Sequence, residues 1–181
     1  MAKPKQILDK SQLNLTLKRL MFEIVENVED FDNFAIIGLQ PRGVLFSRML
    51  KSMLENEGKI KNLVYGELDI TFYRDDYRRN ESSLVPSKLD IDFDIEGRNI
   101  LLVDDVLYTG RTIRAALDAI ADFGRPKKVE LMALIDRRYN RELPIEADYV
   151  GQTVDTRGTG LRVQVDLEGD TPKVTMVESK K

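Results

Sequence analysis

The chain has 181 residues and contains no cysteine, no histidine and no tryptophan. Without cysteine there is no disulfide, no thiol nucleophile and no cysteine metal site. Without histidine, a Ser-His-Asp triad, a Cys-His pair and a His-ligated zinc are all excluded. Any catalysis must rest on Asp, Glu, Lys, Arg, Tyr, backbone dipoles and oxygen-bound metal, a set that suits magnesium and phosphates. No apolar run approaches the ~20 residues that span a bilayer. The opening Met1-Ala2-Lys3-Pro4-Lys5-Gln6 lacks a signal-peptide apolar core, so a cytoplasmic location and no membrane partner are expected. A formal charge of −3 gives no global pull toward nucleic acid. Hydrophobic content of 42% and charged content of 33% describe a globular chain, and the length fits one domain, residues 1–181.

The most informative stretch is Asn99-Ile100-Leu101-Leu102-Val103-Asp104-Asp105-Val106-Leu107-Tyr108-Thr109-Gly110-Arg111-Thr112. Ile100 to Val103 form an apolar run, as a strand buried on both faces requires. Two carboxylates follow, then a small-residue loop, then a helix from Thr112 with Ile113, Ala116, Leu117 and Ile120 on one face. A helix N-terminus offers free N–H groups and positive dipole to a phosphate. The acids beside it can accept hydrogen bonds from hydroxyls or hold a cation. Phosphate next to sugar hydroxyls describes a ribose phosphate.

The rest of the chain alternates strand and helix. Helices are expected over Ser11–Val28, with Ser11 as N-cap, and over Val44–Glu57, closed by Gly58. Strands are expected over Phe34–Gly38, Asn62–Phe72, Asn99–Val103 and Lys128–Ile135. Ala147–Val154, Leu161–Leu167 and Lys173–Val177 alternate as edge strands or hairpins do. This order predicts a parallel sheet covered on both faces, with ligands at the carboxyl ends of its strands. The turn Gln40-Pro41-Arg42-Gly43 lies at such an end. It is either an ordinary βα connection or a second anion site, with Gly43 allowing close backbone approach and Arg42 supplying donors.

Leu101 to Thr112 resemble the signature of the type I phosphoribosyltransferases. The resemblance implies their fold: an α/β domain with a parallel-rich central sheet, helices on both faces and a small hood. It implies a 5′-phosphate of phosphoribosyl pyrophosphate (PRPP) on the loop Val106, Leu107, Tyr108, Thr109, Gly110, Arg111 and Thr112. Asp104 and Asp105 become the catalytic pair at the ribose. Gln40, Pro41, Arg42, Gly43, Arg74, Asp136 and Arg137 take the pyrophosphate, in a turn that in the family often holds a non-proline cis peptide. Mg2+ is held mainly by the substrate, with Asp136 as the protein's own contact. A flap at about 74–90 would close over the leaving group through Arg74, Arg78 and Arg79; a solvated surface loop is the alternative. The hood is placed at about 138–177.

Within that family, Tyr65 to Asp76, Leu107-Tyr108, Asp136-Arg137 and Arg141-Glu142-Leu143-Pro144-Ile145 resemble pyrimidine-operon regulators of the PyrR type. Members bind leader RNA in response to uridine nucleotides, and many make UMP from uracil and PRPP. The implied partners are PRPP, uracil and UMP or UTP, in a homodimer or higher homo-oligomer. The RNA face would include Lys18, Arg19, Arg138 and Arg141. Phe22, Glu146 and Gln152 stand where polar or basic residues are usual, and a carboxylate in such a face opposes phosphate binding. The enzymatic reading is therefore favoured. A nucleotide-sensing RNA regulator and a transferase for another base are the alternatives.

Overall fold

The computed structural model describes residues 4–73 and 91–178. A short strand, β1 (Lys5–Leu8), leads into helix α1 (Lys10–Asn27). The helix starts at Asp9, not at Ser11. The Asp9 carboxylate accepts the Gln12 N–H, and the Asp9 N–H donates to Gln12 Oε1. That reciprocal box satisfies two otherwise orphaned donors, and such caps are worth about 1 kcal/mol. Leu13, Leu17, Leu20, Met21 and Ile24 are buried along one side, as their spacing predicts.

Strand β2 (Phe34–Leu39), helix α2 (Gly43–Asn56) and strand β3 (Val64–Leu68) follow. Gly58 does not close α2 with a left-handed turn; its N–H donates to the Met53 carbonyl instead. β3 is shorter than the expected span. Asp69 accepts from the Thr71 N–H and hydroxyl, which turns the chain into a 3₁₀ turn at Thr71–Tyr73. Strand β4 (Asn99–Leu107) is longer than expected, so the two acids sit inside its carboxyl end rather than after it. Helix α3 (Arg111–Ala121), strand β5 (Lys128–Asp136), a 3₁₀ turn at Arg138–Asn140 and strands β6 (Tyr149–Thr153), β7 (Leu161–Asp166) and β8 (Lys173–Glu178) complete the order.

Five strands form one parallel sheet in the order β3-β2-β4-β5-β6. From β2 the chain winds outward to β3; from β4 it winds the other way to β5 and β6. The sheet therefore reverses direction between β2 and β4, and a crevice opens at the carboxyl ends of those two strands. α1 and α2 pack on one face with Ile36, Leu101 and Val103, and α3 packs on the other with Ile37, Ile100 and Leu102. No helix among the described residues is long and apolar enough to cross a membrane.

The hood is a separate three-stranded antiparallel sheet in the order β1-β8-β7. It draws its first strand from the amino terminus, and β6 belongs to the main sheet, so the hood is not the continuous segment 138–177. Val163 and Val174 bury one hood face against the α1 side of the core.

Candidate active site

The crevice at the β2/β4 reversal holds a cleft of about 660 Å³, within the usual range for ligand sites. Gln40, Pro41 and Arg42 line one end; Asp104, Asp105, Val106, Tyr108 and Thr112 line its floor. The sequence thus places both proposed anion sites side by side. Their nearness follows from the register, in which Gly38 pairs with Val103.

Asp104 and Asp105 are 7% and 5% exposed. The Asp105 N–H donates to Asp104 Oδ1 at 2.9 Å. Burial, reinforced by the neighbouring Asp105, holds the Asp104 carboxyl well above the usual carboxylate range. Burial also raises Asp105, and the Arg42 guanidinium opposes that rise. Arg42 thus acts on both acids through its charge, and burial still holds both carboxyls raised, so the pair suits a cationic or hydroxyl-bearing ligand.

Helix α3 begins behind Gly110, whose φ of 92° lies in the left-handed region. Gly110 has no side chain with which to cap the helix; the Thr109 hydroxyl accepts the Arg111 N–H at 3.4 Å, and the N–H groups of Thr112 and Ile113 remain for an incoming anion. A Cβ on Gly110 would come within 3.2 Å of Ile145 Cδ1. Glycine thus meets both a backbone and a packing demand.

Gly43 meets a packing demand against the sheet. A Cβ there would lie 2.4 Å from the Val103 carbonyl oxygen and 3.0 Å from Asp104 Cα. Its bareness lets α2 approach the protein's own β4 backbone. The Gln40–Pro41 bond is cis, and the Gln40 N–H donates to the Leu68 carbonyl at 2.9 Å.

The segment after β5 also departs from expectation. Asp136 is ion-paired to Arg141 and does not line the cleft. It lines a separate pocket with Arg138 and Arg141. Arg141 also donates to the carbonyls of Leu107, Tyr108 and Ile145, so it staples the segment after β5 to the end of β4. Glu142 and Leu143 N–H groups donate to the Thr109 carbonyl, and Glu142 pairs with Arg111 at 2.6 Å. The Arg-Glu-Leu-Pro segment therefore clamps the loop that leads into α3. The wall opposite the acids comes from β7 instead, through Arg162, Val163, Gln164 and Val165. None of these four stood out in the sequence. The alternation from Leu161 marks a strand, but nothing local says that it folds back over the cleft.

Arg137 does line the cleft. Its Nε donates to Thr156 at 2.9 Å, its Nη2 donates to the Leu161 carbonyl at 3.2 Å, and its guanidinium lies 3.8 Å from the Tyr108 ring centroid. It ties the floor to the hood. Lys18 pairs with Glu57, Arg19 with Glu23 and two carbonyls, and Arg138 with Glu146. Arg74, Arg78 and Arg79 of the expected flap lie outside the described residues.

Residues 4–166 match the model of the phosphoribosyl transferase domain. The chain is 48% identical over 157 residues to a bifunctional protein PyrR from Elusimicrobium minutum, covering 86% of each chain. It is 40% identical over 177 residues to the bifunctional protein PyrR of Actinobacillus pleuropneumoniae, covering 97% of this chain and 98% of that one. Among solved structures, a hypoxanthine-guanine phosphoribosyltransferase from Bacillus anthracis superposes with a TM-score of 0.64 at 23% identity, covering 84% of both chains. A hypoxanthine phosphoribosyltransferase from Trypanosoma cruzi gives the same TM-score at 20% identity, covering 87% of this chain and 84% of that one. With the switch-point crevice, the acid pair and the α3 N-terminus of the fold, these matches place the chain in the type I phosphoribosyltransferase family, among the PyrR proteins.

Proposed function

We propose that this cleft makes UMP and pyrophosphate from uracil and PRPP. The observation that carries the reading is the buried pair Asp104–Asp105, which lines one cleft with Thr112 of the helix N-terminus and with Arg42. PRPP carries two anionic groups on one ribose, and the cleft offers two anion sites with carboxylates between them. The 5′-phosphate rests on the first turn of α3, and the pyrophosphate meets the Gln40–Arg42 turn.

Among the described residues no cluster of three or more acids could hold a metal ion by itself. Two adjacent carboxylates fit a magnesium ion carried in by the substrate, and Asp104 and Asp105 are the residues that would meet it. When bound, magnesium neutralises charge on the departing pyrophosphate. As the bond to pyrophosphate lengthens, positive charge grows on the ribose. Asp104 and Asp105 face that charge and accept hydrogen bonds from the ribose hydroxyls. At an effective dielectric of ~20 and ~5 Å, one carboxylate stabilises such a charge by about 3 kcal/mol. That is on the order of a hundredfold in rate if it acts only in the transition state. The uracil N1, held in line by the β7 wall, then bonds to the ribose carbon that the pyrophosphate leaves, and its N1–H proton passes to the departing pyrophosphate or to solvent. No side chain forms a covalent bond.

The test is an assay of PRPP and magnesium with uracil, orotate or hypoxanthine, read by product mass. UMP from uracil, with little product from the other two, is the expected result. Turnover of hypoxanthine or orotate in preference to uracil would replace the reading with a transferase for another base.

RNA binding is expected to be weak. Lys18, Arg19, Arg138 and Arg141 are each matched by a carboxylate of this chain, so the face they were expected to form carries little net positive charge. Filter binding of a pyrimidine-leader hairpin with UMP, at about 0.1 M salt, should show no selective complex below micromolar protein. Tight, sequence-selective binding would restore the regulator reading.

A further inference from the structure

A buried acid outside the cleft is left without a role in the chemistry above. Glu67, on β3, is only 7% exposed. Its Oε1 accepts Arg48 Nε at 2.8 Å and Nη2 at 2.7 Å, and the Tyr65 hydroxyl at 2.9 Å. The Tyr65 oxygen also lies 3.0 Å from Ser47 Oγ, which donates to the Val44 carbonyl at 2.9 Å. Val44, Ser47 and Arg48 occupy the first turns of α2, directly after the Gln40–Gly43 turn. The next residue of β3, Leu68, accepts the Gln40 N–H at 2.9 Å. Thus β3 holds both ends of that turn: the entry through its backbone, the exit through Glu67. β3 is an edge strand of the sheet, so this tether is what couples α2 to it across the side chains.

A buried carboxylate is costly unless paired. An apolar residue would fill the same space more cheaply, so packing alone does not account for Glu67. We infer that Glu67, acting through Tyr65, Ser47 and Arg48, is a positioning residue that sets the Gln40–Gly43 turn, and with it Arg42, for the pyrophosphate half of PRPP. The inference rests on the reading of that turn as the pyrophosphate site. Glu67 itself does not line the cleft.

The experiment compares Glu67→Ala, Glu67→Gln, Tyr65→Phe and Arg48→Ala with the wild-type protein. Tyr65→Phe leaves Glu67 paired to Arg48, and Arg48→Ala leaves it the Tyr65 hydroxyl, so these variants carry the test if Glu67→Ala does not fold. Each protein is characterised by thermal melting, by calorimetric binding of PRPP with magnesium, and by KM for PRPP and for uracil with kcat. Glu67→Ala and Arg48→Ala should weaken PRPP binding and raise its KM by about tenfold, with kcat and the KM for uracil within about twofold. Glu67→Gln keeps an acceptor for Tyr65 and should recover most of the affinity. Unchanged PRPP affinity in Arg48→Ala and in any folded Glu67 variant would overturn the inference. So would a loss in kcat and both KM values that merely tracks the unfolded fraction. Absence of uracil turnover in the wild type, with PRPP still bound, would count against the proposed reaction and leave the positioning role to be decided by the calorimetry.

Discussion

Replacing Asp104 and Asp105 together by asparagine should lower turnover by at least about a hundredfold, while the protein becomes no less stable at neutral pH. The two effects separate because the pair is buried where ionisation is unfavourable. Both carboxyls titrate above their ordinary range, chiefly through desolvation. A group whose folded pKa is raised contributes stability below its unfolded pKa and loses it as pH rises through the folded pKa. Once ionised, the pair is therefore a liability to the fold. Asparagine removes the charge, and its side-chain oxygen at position 104 can still accept the Asp105 backbone N–H. The melting temperature of the double variant should equal or exceed that of the wild type at pH 7. The advantage should shrink as pH falls below the raised carboxyl values. Near-normal turnover in the folded variant would remove the pair from the chemistry. A large drop in melting temperature at pH 7 would show that its charge supports the fold.

The second large effect is expected at Gly43. The Gly43→Ala methyl would be built 2.4 Å from a backbone carbonyl oxygen of β4, a separation that no rotamer change can relieve. α2 must move away from β4, and Arg42 moves with it. Overpacking of this kind costs about 1–3 kcal/mol of stability. Because the displaced segment carries the anion turn, PRPP affinity should fall by more than about tenfold even where the protein remains folded. Melting and calorimetry on the same preparation check both parts. Unchanged values for both would mean that α2 and β4 are less closely joined than their backbones indicate.

The acid pair, the phosphate loop and the parallel sheet are properties of local pattern, and they were legible in the sequence. Ile100 to Val103 can be buried on both faces only in a central strand. An acid pair followed by Thr109-Gly110-Arg111-Thr112 is readable because each residue type acts on its neighbours. Gly110 in the left-handed region, followed at once by a helix, is a local event of the same kind. The Gln40–Gly43 turn was legible as a turn at a strand end.

What the local pattern could not decide was which long-range partner each group would meet. The family resemblance put Asp136 and Arg137 at the pyrophosphate end; Arg137 lines the cleft, while Arg141, five residues on, pairs with Asp136 away from it. Glycine at 43 signals a close approach, but not whether the approaching group is a ligand or β4. The hood is the clearest case. Its three strands come from both ends of the chain and pair antiparallel. Hydrophobic alternation specifies that a strand exists and which side is buried; its edge partners are set by register and by the packing of the whole domain. Sequence by itself determined the chemistry available at the reversal of the sheet. Tertiary structure alone decided which cations are tied into salt bridges of the same chain and which line the cleft, because those partners come from distant segments brought together by packing.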